Sequence, residues 1–221
     1  MSELLQLEHN GPVTIVTLDR PEKKNALSIA LRDALSDTFA DLADRVETKT
    51  VIVTGAGDVF CAGFDLAEFG AADRQAELWA SSDRFHHAIL RCPIPTIAAV
   101  NGPALAGGFD LACLCDIRIA STTARFAHPE QRWTTVLYRT LHDLVDGGTA
   151  RDLALTGRPV DADEARTIGL VADVVPPDRL MDAAFARAEM IAEAPRDALV
   201  ATKAKIIAAR GIASDVPTLS I

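Results

Sequence analysis

Three β-branched runs, Thr50–Thr54, Thr96–Val100 and Asp116–Ala120, are each separated from the next by helical or glycine-rich stretches. That alternation predicts an α/β architecture, because strands spaced by helices must pair in parallel and cover their faces with those helices. The chain opens with β structure of another kind. Leu5 to His9 and Val13 to Leu18 flank Asn10-Gly11, a pair that tolerates positive φ and favours a tight hairpin. From Ser28 the spacing turns helical, with Leu31, Leu35, Phe39 and Leu42 on one face and Ser28 suited to cap a helix to about Asp44. A second helix is predicted from Arg74 to Arg91. In the last third, Asp161 and Glu164 are spaced like a capping box and Gly169 is placed to end that helix. Two more helices are predicted, from about Asp178 to Ala194 and from Arg196 to Arg210, broken by Pro195 and closed by Gly211. Residues Ile212 to Ile221 carry no clear periodicity and are expected to fray or to dock on a neighbour.

Composition narrows the partners. The 221 residues are 49% hydrophobic, enough for one sizeable core, and no low-complexity linker divides them. The net charge is −9 and the 22 Lys and Arg residues are scattered, so no basic stripe can track nucleic-acid phosphates and no nucleic-acid partner is expected. The start, MSELLQLEHNG, lacks a basic region followed by a long apolar run, so no signal peptide is expected and the chain is read as cytoplasmic. Apolar runs such as Pro95 to Val100 fall well short of the roughly 20 residues a spanning helix needs. Cys61, Cys92, Cys113 and Cys115 sit among apolar or small residues with no second ligand cluster, and are read as buried thiols rather than metal ligands or disulfides.

Three segments could carry chemistry. Gly55 to Gly70, GAGDVFCAGFDLAEFG, follows a predicted strand, yet Phe60 stands where a dinucleotide fingerprint needs its third glycine, and no GK[ST] occurs anywhere. Val100 to Asp116, VNGPALAGGFDLACLCD, runs from a strand through an Asn-Gly-Pro turn into a helix beginning near Gly107. The Gly107 N–H then points from a helix N-terminus, half of a site for a negatively charged oxygen. Asp110 lies in the first turn of that helix, either complementing the dipole or holding a proton. Arg125 to Arg132, RFAHPEQR, places Glu130 beside a proline-stiffened turn. Two carboxylates near one water or one carbon suit acid–base work if their environments separate their pKa values. His128, two residues before Glu130, could shuttle protons, but Glu130 and Asp110 are preferred over it. His86 and His87 are read as surface or packing residues.

Taken in order, RPEKKNALS (Arg20 to Ser28), FCAGFDL (Phe60 to Leu66), AAVNGPALAGGFDLACLCDIRIA (Ala98 to Ala120), ARFAHPE (Ala124 to Glu130) and LTGRPVDADEARTIGLVADVVP (Leu155 to Pro176) resemble the crotonase superfamily, the enoyl-CoA hydratase/isomerase family. The resemblance implies a spiral of stacked ββα turns over residues 1–176 and a helical C-terminal region over 177–221 that is short for the family. It implies an acyl-CoA thioester substrate, no separate cofactor and no metal, and a homo-trimer or dimer of trimers. Phe64 and Gly107 fall where family members use backbone N–H groups as an oxyanion hole. Lys23, Lys24, Ala26, Ala62, Asp65 and Leu66 fall where they contact CoA. The two hydratase carboxylates fall on Asp110 and Glu130.

The chain also departs from the family's pattern. Aspartate replaces the usual glutamate at 110, shortening that arm by a methylene. Dienoyl-CoA isomerase-like members share this aspartate but carry another eight residues after the glutamate, where this chain has Tyr138. Gln131 to His142, QRWTTVLYRTLH, replaces a glycine- and proline-rich loop, so Trp133, Leu137 and Tyr138 are expected to line or narrow the acyl end of the pocket. The leading expectation is reversible hydration of a 2-enoyl-CoA. Double-bond isomerisation is the alternative, thioester or β-diketone hydrolysis is more distant, and a non-catalytic CoA-ester-binding or assembly protein is the alternative of another class.

Overall fold

A computed structural model describes residues 4–70, 72–212 and 217. The first hairpin forms as expected: β1 (Leu5–Asn10) pairs antiparallel with β2 (Val13–Leu18), Asn10 opposite Val13, and Gly11 takes a positive φ of 57° in the turn. Helix α1 (Ile29–Asp44) starts where its cap places it, the Ser28 hydroxyl accepting from Leu31 N at 3.2 Å. Then follow β3 (Thr50–Gly55), a short α2 (Leu66–Phe69) and α3 (Gln75–Leu90). The centre is β4 (Thr96–Val100), β5 (Pro103–Leu105), α4 (Gly107–Leu114), β6 (Ile117–Ser121) and β7 (Arg125–Ala127). The remainder is α5 (Tyr138–His142), α6 (Gly147–Thr156), β8 (Val160–Asp161), α7 (Ala162–Thr167), β9 (Asp173–Val175), α8 (Leu180–Ala192) and α9 (Arg196–Arg210).

The larger sheet runs β1-β2-β3-β4-β6-β9 and is parallel from β2 onward. Its strands are apolar on both sides because both are covered. Ile52, Ile97 and Ile119 face α8, packing on Leu180, Ala184 and Ala188. Val51, Val53, Ala98, Val100 and Ala120 face the other way, toward Leu31, Leu35 and Phe39 of α1 and Phe85 and Ile89 of α3. Each fully buried Leu or Phe in this layer contributes about 1.5–3 kcal/mol.

A second layer of pairing gives the spiral its turns. β5 pairs parallel with β7, β7 antiparallel with β8, and single parallel bridges join Cys61 to Ala104 and Leu27 to Phe64. Each turn therefore passes from the large sheet through a short paired segment into a helix, the α/β arrangement of ββα units that the resemblance implies. Asn25 ties neighbouring turns together. Buried at φ 54°, its amide donates to Ala56 O at 2.9 Å and Val59 O at 2.7 Å and accepts from Arg20 N at 3.0 Å.

Several expectations are met and two are modified. The four cysteines are free and buried. The capping box forms by half: Asp161 accepts from Glu164 N at 2.9 Å, but the Glu164 carboxylate turns to Arg158 at 2.7 Å instead of reaching back. An arginine nearby offers a charged partner, which outbids a neutral backbone N–H. β8 is two residues long, too short to leave a periodic signal in the sequence. Helices α8 and α9 end within a residue or two of the expected positions, and the final stretch read as unperiodic lies almost wholly outside the described residues.

Candidate active site

Two close backbone approaches build the floor of a cavity of about 200 Å³. Gly63 (φ 90°) lies against Ala106 and Gly107, so near that a Cβ on Gly63 would sit 2.8 Å from Leu105 O and 3.3 Å from Gly107 N. A Cβ on Gly107 would meet the Phe64 ring at 2.9 Å, and one on Gly108 would meet Cys61 O at 2.2 Å. The glycine pair is therefore required by contact, not by chain flexibility. Ala106, just before α4, holds φ 50° and ψ −128°, a conformation costly for a residue with a Cβ and typical of functional turns. Its N–H is fixed by Ala127 O at 2.9 Å.

These contacts orient the two candidate oxyanion donors. Gly107 is the first residue of α4, so its N–H has no carbonyl one turn back to bind. Leu27 N donates to Gly63 O at 2.8 Å and Asp65 N to Leu27 O at 3.3 Å, on either side of Phe64; alternation along an extended segment turns the Phe64 N–H to the opposite side. The Phe64 ring is held from behind by the buried Arg32 guanidinium, 4.2 Å from its centroid.

Asp110, in the first turn of α4, and Glu130, in the 3₁₀ turn Pro129–Arg132, both line the cavity. Close to both is His128, whose Nε2 lies 2.9 Å from Asp110 Oδ1, with both side chains buried and the imidazole packed on Phe109 at 4.6 Å between centroids. One donor atom from each of the three lies within 4.8 Å of the others, and among the described residues no other such cluster of His, Cys, Asp or Glu occurs. That spacing would admit a cation, and a hydrogen bond ties two of the three donors to each other.

The electrostatics separate the members. Burial pushes the Glu130 carboxyl up to about 7, opposed by His128 and reinforced by the Asp110 charge, and its Oε2 is buried without a hydrogen-bond partner. Burial alone would lower the His128 imidazole. The Asp110 charge and hydrogen bond, with Glu130 beyond, outweigh burial and hold it above its ordinary value.

Of the residues named from sequence, Ala62, Phe64, Leu66, Gly107, Asp110, Glu130 and Trp133 line the cavity. Lys23, Lys24, Ala26 and Asp65 do not; the Asp65 carboxylate instead caps α2 through Ala67 N at 3.2 Å and pairs with Arg20 at 3.2 Å. Leu137 and Tyr138 are corrected. Leu137 is buried in the main core and Tyr138 packs against it, because the chain turns inward after Thr135 to start α5. Thr134 and Thr135 take the wall instead, with Phe69 and Trp79 packed edge to face at 5.9 Å. Neither aromatic carried a local signal, since the packing of α2 on α3 brings them there. His128 was visible in sequence, but not its contact with Asp110, 18 positions away.

Comparison with known proteins agrees with this geometry. Residues 8–214 match the family profile described as enoyl-CoA hydratase/isomerase. A short-chain-enoyl-CoA hydratase of Clostridium acetobutylicum is 36% identical over 220 residues, covering 96% of this chain and 83% of that protein. The crystal structure of an enoyl-CoA hydratase from Bacillus anthracis superimposes with a TM-score of 0.89 at 32% identity, covering 95% and 84% of the two chains. A monofunctional enoyl-CoA isomerase from M. smegmatis superimposes with a TM-score of 0.83 at 31% identity over 100% of both. With a matched profile over nearly its whole length and glycine contacts that form the expected cavity, the chain belongs to the enoyl-CoA hydratase/isomerase family, the crotonase superfamily.

Proposed function

We propose that this enzyme hydrates a 2-enoyl-CoA to the 3-hydroxyacyl-CoA, with Glu130 carrying the proton and Asp110 holding the water. The observation that carries the reading is the Glu130 carboxyl, pushed up to about 7 beside a second carboxylate, Asp110, which is hydrogen-bonded to His128, in one small cavity. A carboxyl half protonated near neutral pH suits both halves of an addition. Protonated Glu130 gives its proton to C2 while the water oxygen bonds to C3, and the water's proton passes to the other Glu130 oxygen. The carboxyl ends as it began, and Asp110 accepts the remaining O–H of the water. The thioester carbonyl gathers negative charge as C3 is attacked, and the Phe64 and Gly107 N–H groups are assigned to receive it, each worth about 2.7–4 kcal/mol.

The substrate carries the electron sink, so the reading needs no metal or redox cofactor. Lys23, Lys24 and Ala26 are assigned to CoA by the family resemblance. The reading places the enzyme in the cytoplasm and in a homo-trimer or dimer of trimers; among the described residues no helix is long and apolar enough to cross a membrane. Isomerisation is the second reading, favoured by the full-length likeness to the M. smegmatis isomerase.

One assay separates them: 2-enoyl, 3-enoyl and 3-hydroxyacyl thioesters incubated with the wild type and Asp110→Asn, with products identified by mass and chromatography. Hydration is expected in the wild type. Asp110→Asn is expected to lose hydration strongly while sparing any isomerisation, because the amide NH₂ cannot accept the water's hydrogen bond. Small and equal losses in both reactions would remove Asp110 from the mechanism.

A further inference from the structure

We propose that His128 is a positioning residue that divides labour between the two carboxylates: by donating Nε2–H to Asp110 Oδ1 it holds Asp110 as the fixed anion and leaves Glu130 the only carboxyl that carries a proton. The inference rests on the hydration reading for its kinetic consequences but not for its geometry.

Two carboxyl groups in one buried cavity repel as anions, and left to themselves they share a proton between them. A shared proton would leave Asp110 protonated part of the time, unable to accept a hydrogen bond from the water and competing to donate. The structure breaks this symmetry on one side only. His128 Nε2 lies 2.9 Å from Asp110 Oδ1, and the bond is buried at both ends. The opposite ring nitrogen, Nδ1, is buried with no hydrogen-bond partner, so Asp110 alone fixes which nitrogen bears the proton. The ring cannot swing away, being packed on Phe109 within a buried layer. Glu130 receives no side-chain donor among the described residues; its own backbone N–H bears on the carboxyl, and Oε2 has no hydrogen-bond partner. The raised pKa of the imidazole and of Glu130 agree with this division.

The other ionisable groups facing the pair do not blur it. Cys61, whose backbone meets Gly108, is a thiol pushed up to about 12 by burial. His86 on α3 is pushed down to about 4 by burial. Cys113 on α4 is likewise a thiol pushed up by burial, so all three are neutral near pH 7, and the Arg32 guanidinium lies behind the Phe64 ring.

Two replacements separate a hydrogen-bond donor from a mere space-filler. His128→Leu removes the donor, and His128→Gln restores one through its amide N–H. The expected result for His128→Leu is a kcat at least tenfold lower with KM within a few-fold. Its acid limb of kcat/KM against pH should move up once the Asp110 carboxylate has lost its donor. His128→Gln should recover both the rate and the limb to within a few-fold of wild type. Equal losses in the two variants with unmoved limbs would reduce His128 to packing and overturn the proposal, as would a wild-type profile in His128→Leu.

Imidazole ¹⁵N shifts read the pair without any turnover. At a pH above the imidazole's own titration, wild type should report a neutral ring with its proton fixed on Nε2, and Asp110→Asn a mixture of tautomers. An unchanged spectrum in Asp110→Asn would overturn the proposal, whereas a wild type that hydrates no thioester yet shows the fixed proton would overturn only the hydration reading.

Discussion

Asp116 and Glu130 are both largely buried carboxylates, yet one is surrounded and the other is left exposed to its own desolvation. Asp116, just ahead of β6, accepts from Thr96 N at 2.8 Å and Thr96 Oγ1 at 3.0 Å, binds the buried Lys203 ammonium of α9, and faces Arg210 at 4.0 Å. Those contacts fasten the C-terminal helix to the large sheet. Each also has one oxygen without a hydrogen-bond partner, Asp116 Oδ1 and Glu130 Oε2, but Asp116 has two cations beside it and Glu130 has none bonded to it among the described residues. A buried charge held by cations serves the fold, and a buried carboxyl without a cation bonded to it is one that can gain and lose a proton at neutral pH.

The sharpest way to break this comparison is at Glu130. Glu130→Gln keeps the shape and removes the exchangeable proton, so turnover should fall on the order of 10²- to 10⁴-fold while thioester affinity stays within a few-fold. A near-wild-type rate in a folded variant would dismiss Glu130 as proton carrier. At the other site, Lys203→Met should leave Asp116 underpaired and cost about 3–5 kcal/mol in urea unfolding, with unchanged kcat per folded molecule. Adding Asp116→Asn to that variant should recover part of the loss, and a fall in kcat instead would mean the two regions are coupled.

The pH dependence of stability distinguishes them more finely. Because the folded Glu130 carboxyl sits at about 7, above its ordinary value of 4.5, its contribution is present below pH 4.5 and is lost as pH rises through 7. Wild type should therefore lose on the order of 2 kcal/mol relative to Glu130→Gln between those limits. Parallel stability curves for the two proteins would show that Glu130 is not strained by burial. The smallest effect is expected at the cavity rim. Trp133, 62% exposed, should tolerate alanine within about 0.5 kcal/mol of stability, yet Trp133→Ala should lower kcat/KM for acyl thioesters a few-fold, and an unaltered kcat/KM would take Trp133 out of the acyl wall.

What could be read from sequence alone was whatever repeats at short range or is fixed by one residue's chemistry. The Asn-Gly hairpin, the Ser28 cap, the strand at Thr96–Val100, the helix ending at Arg210 and the Gly107 helix start all depend on neighbours within a turn or so, and all stand in the fold. The ordered motifs also carried the family, and with it the pairing of Asp110 and Glu130. Tertiary structure alone decided which side chains meet. It joined His128 to Asp110 across 18 positions, brought Phe69 and Trp79 to the cavity wall, and drew Leu137 into the core although the QRWTTVLYRTLH run invited a pocket reading. It also decided that Lys203 would be buried beside Asp116, 87 positions away. Local pattern encodes backbone conformation, whose energies are set within a few residues. The depth of a carboxylate and the identity of its partners depend on how turns of the spiral stack, and no window of sequence shorter than the stack contains that information.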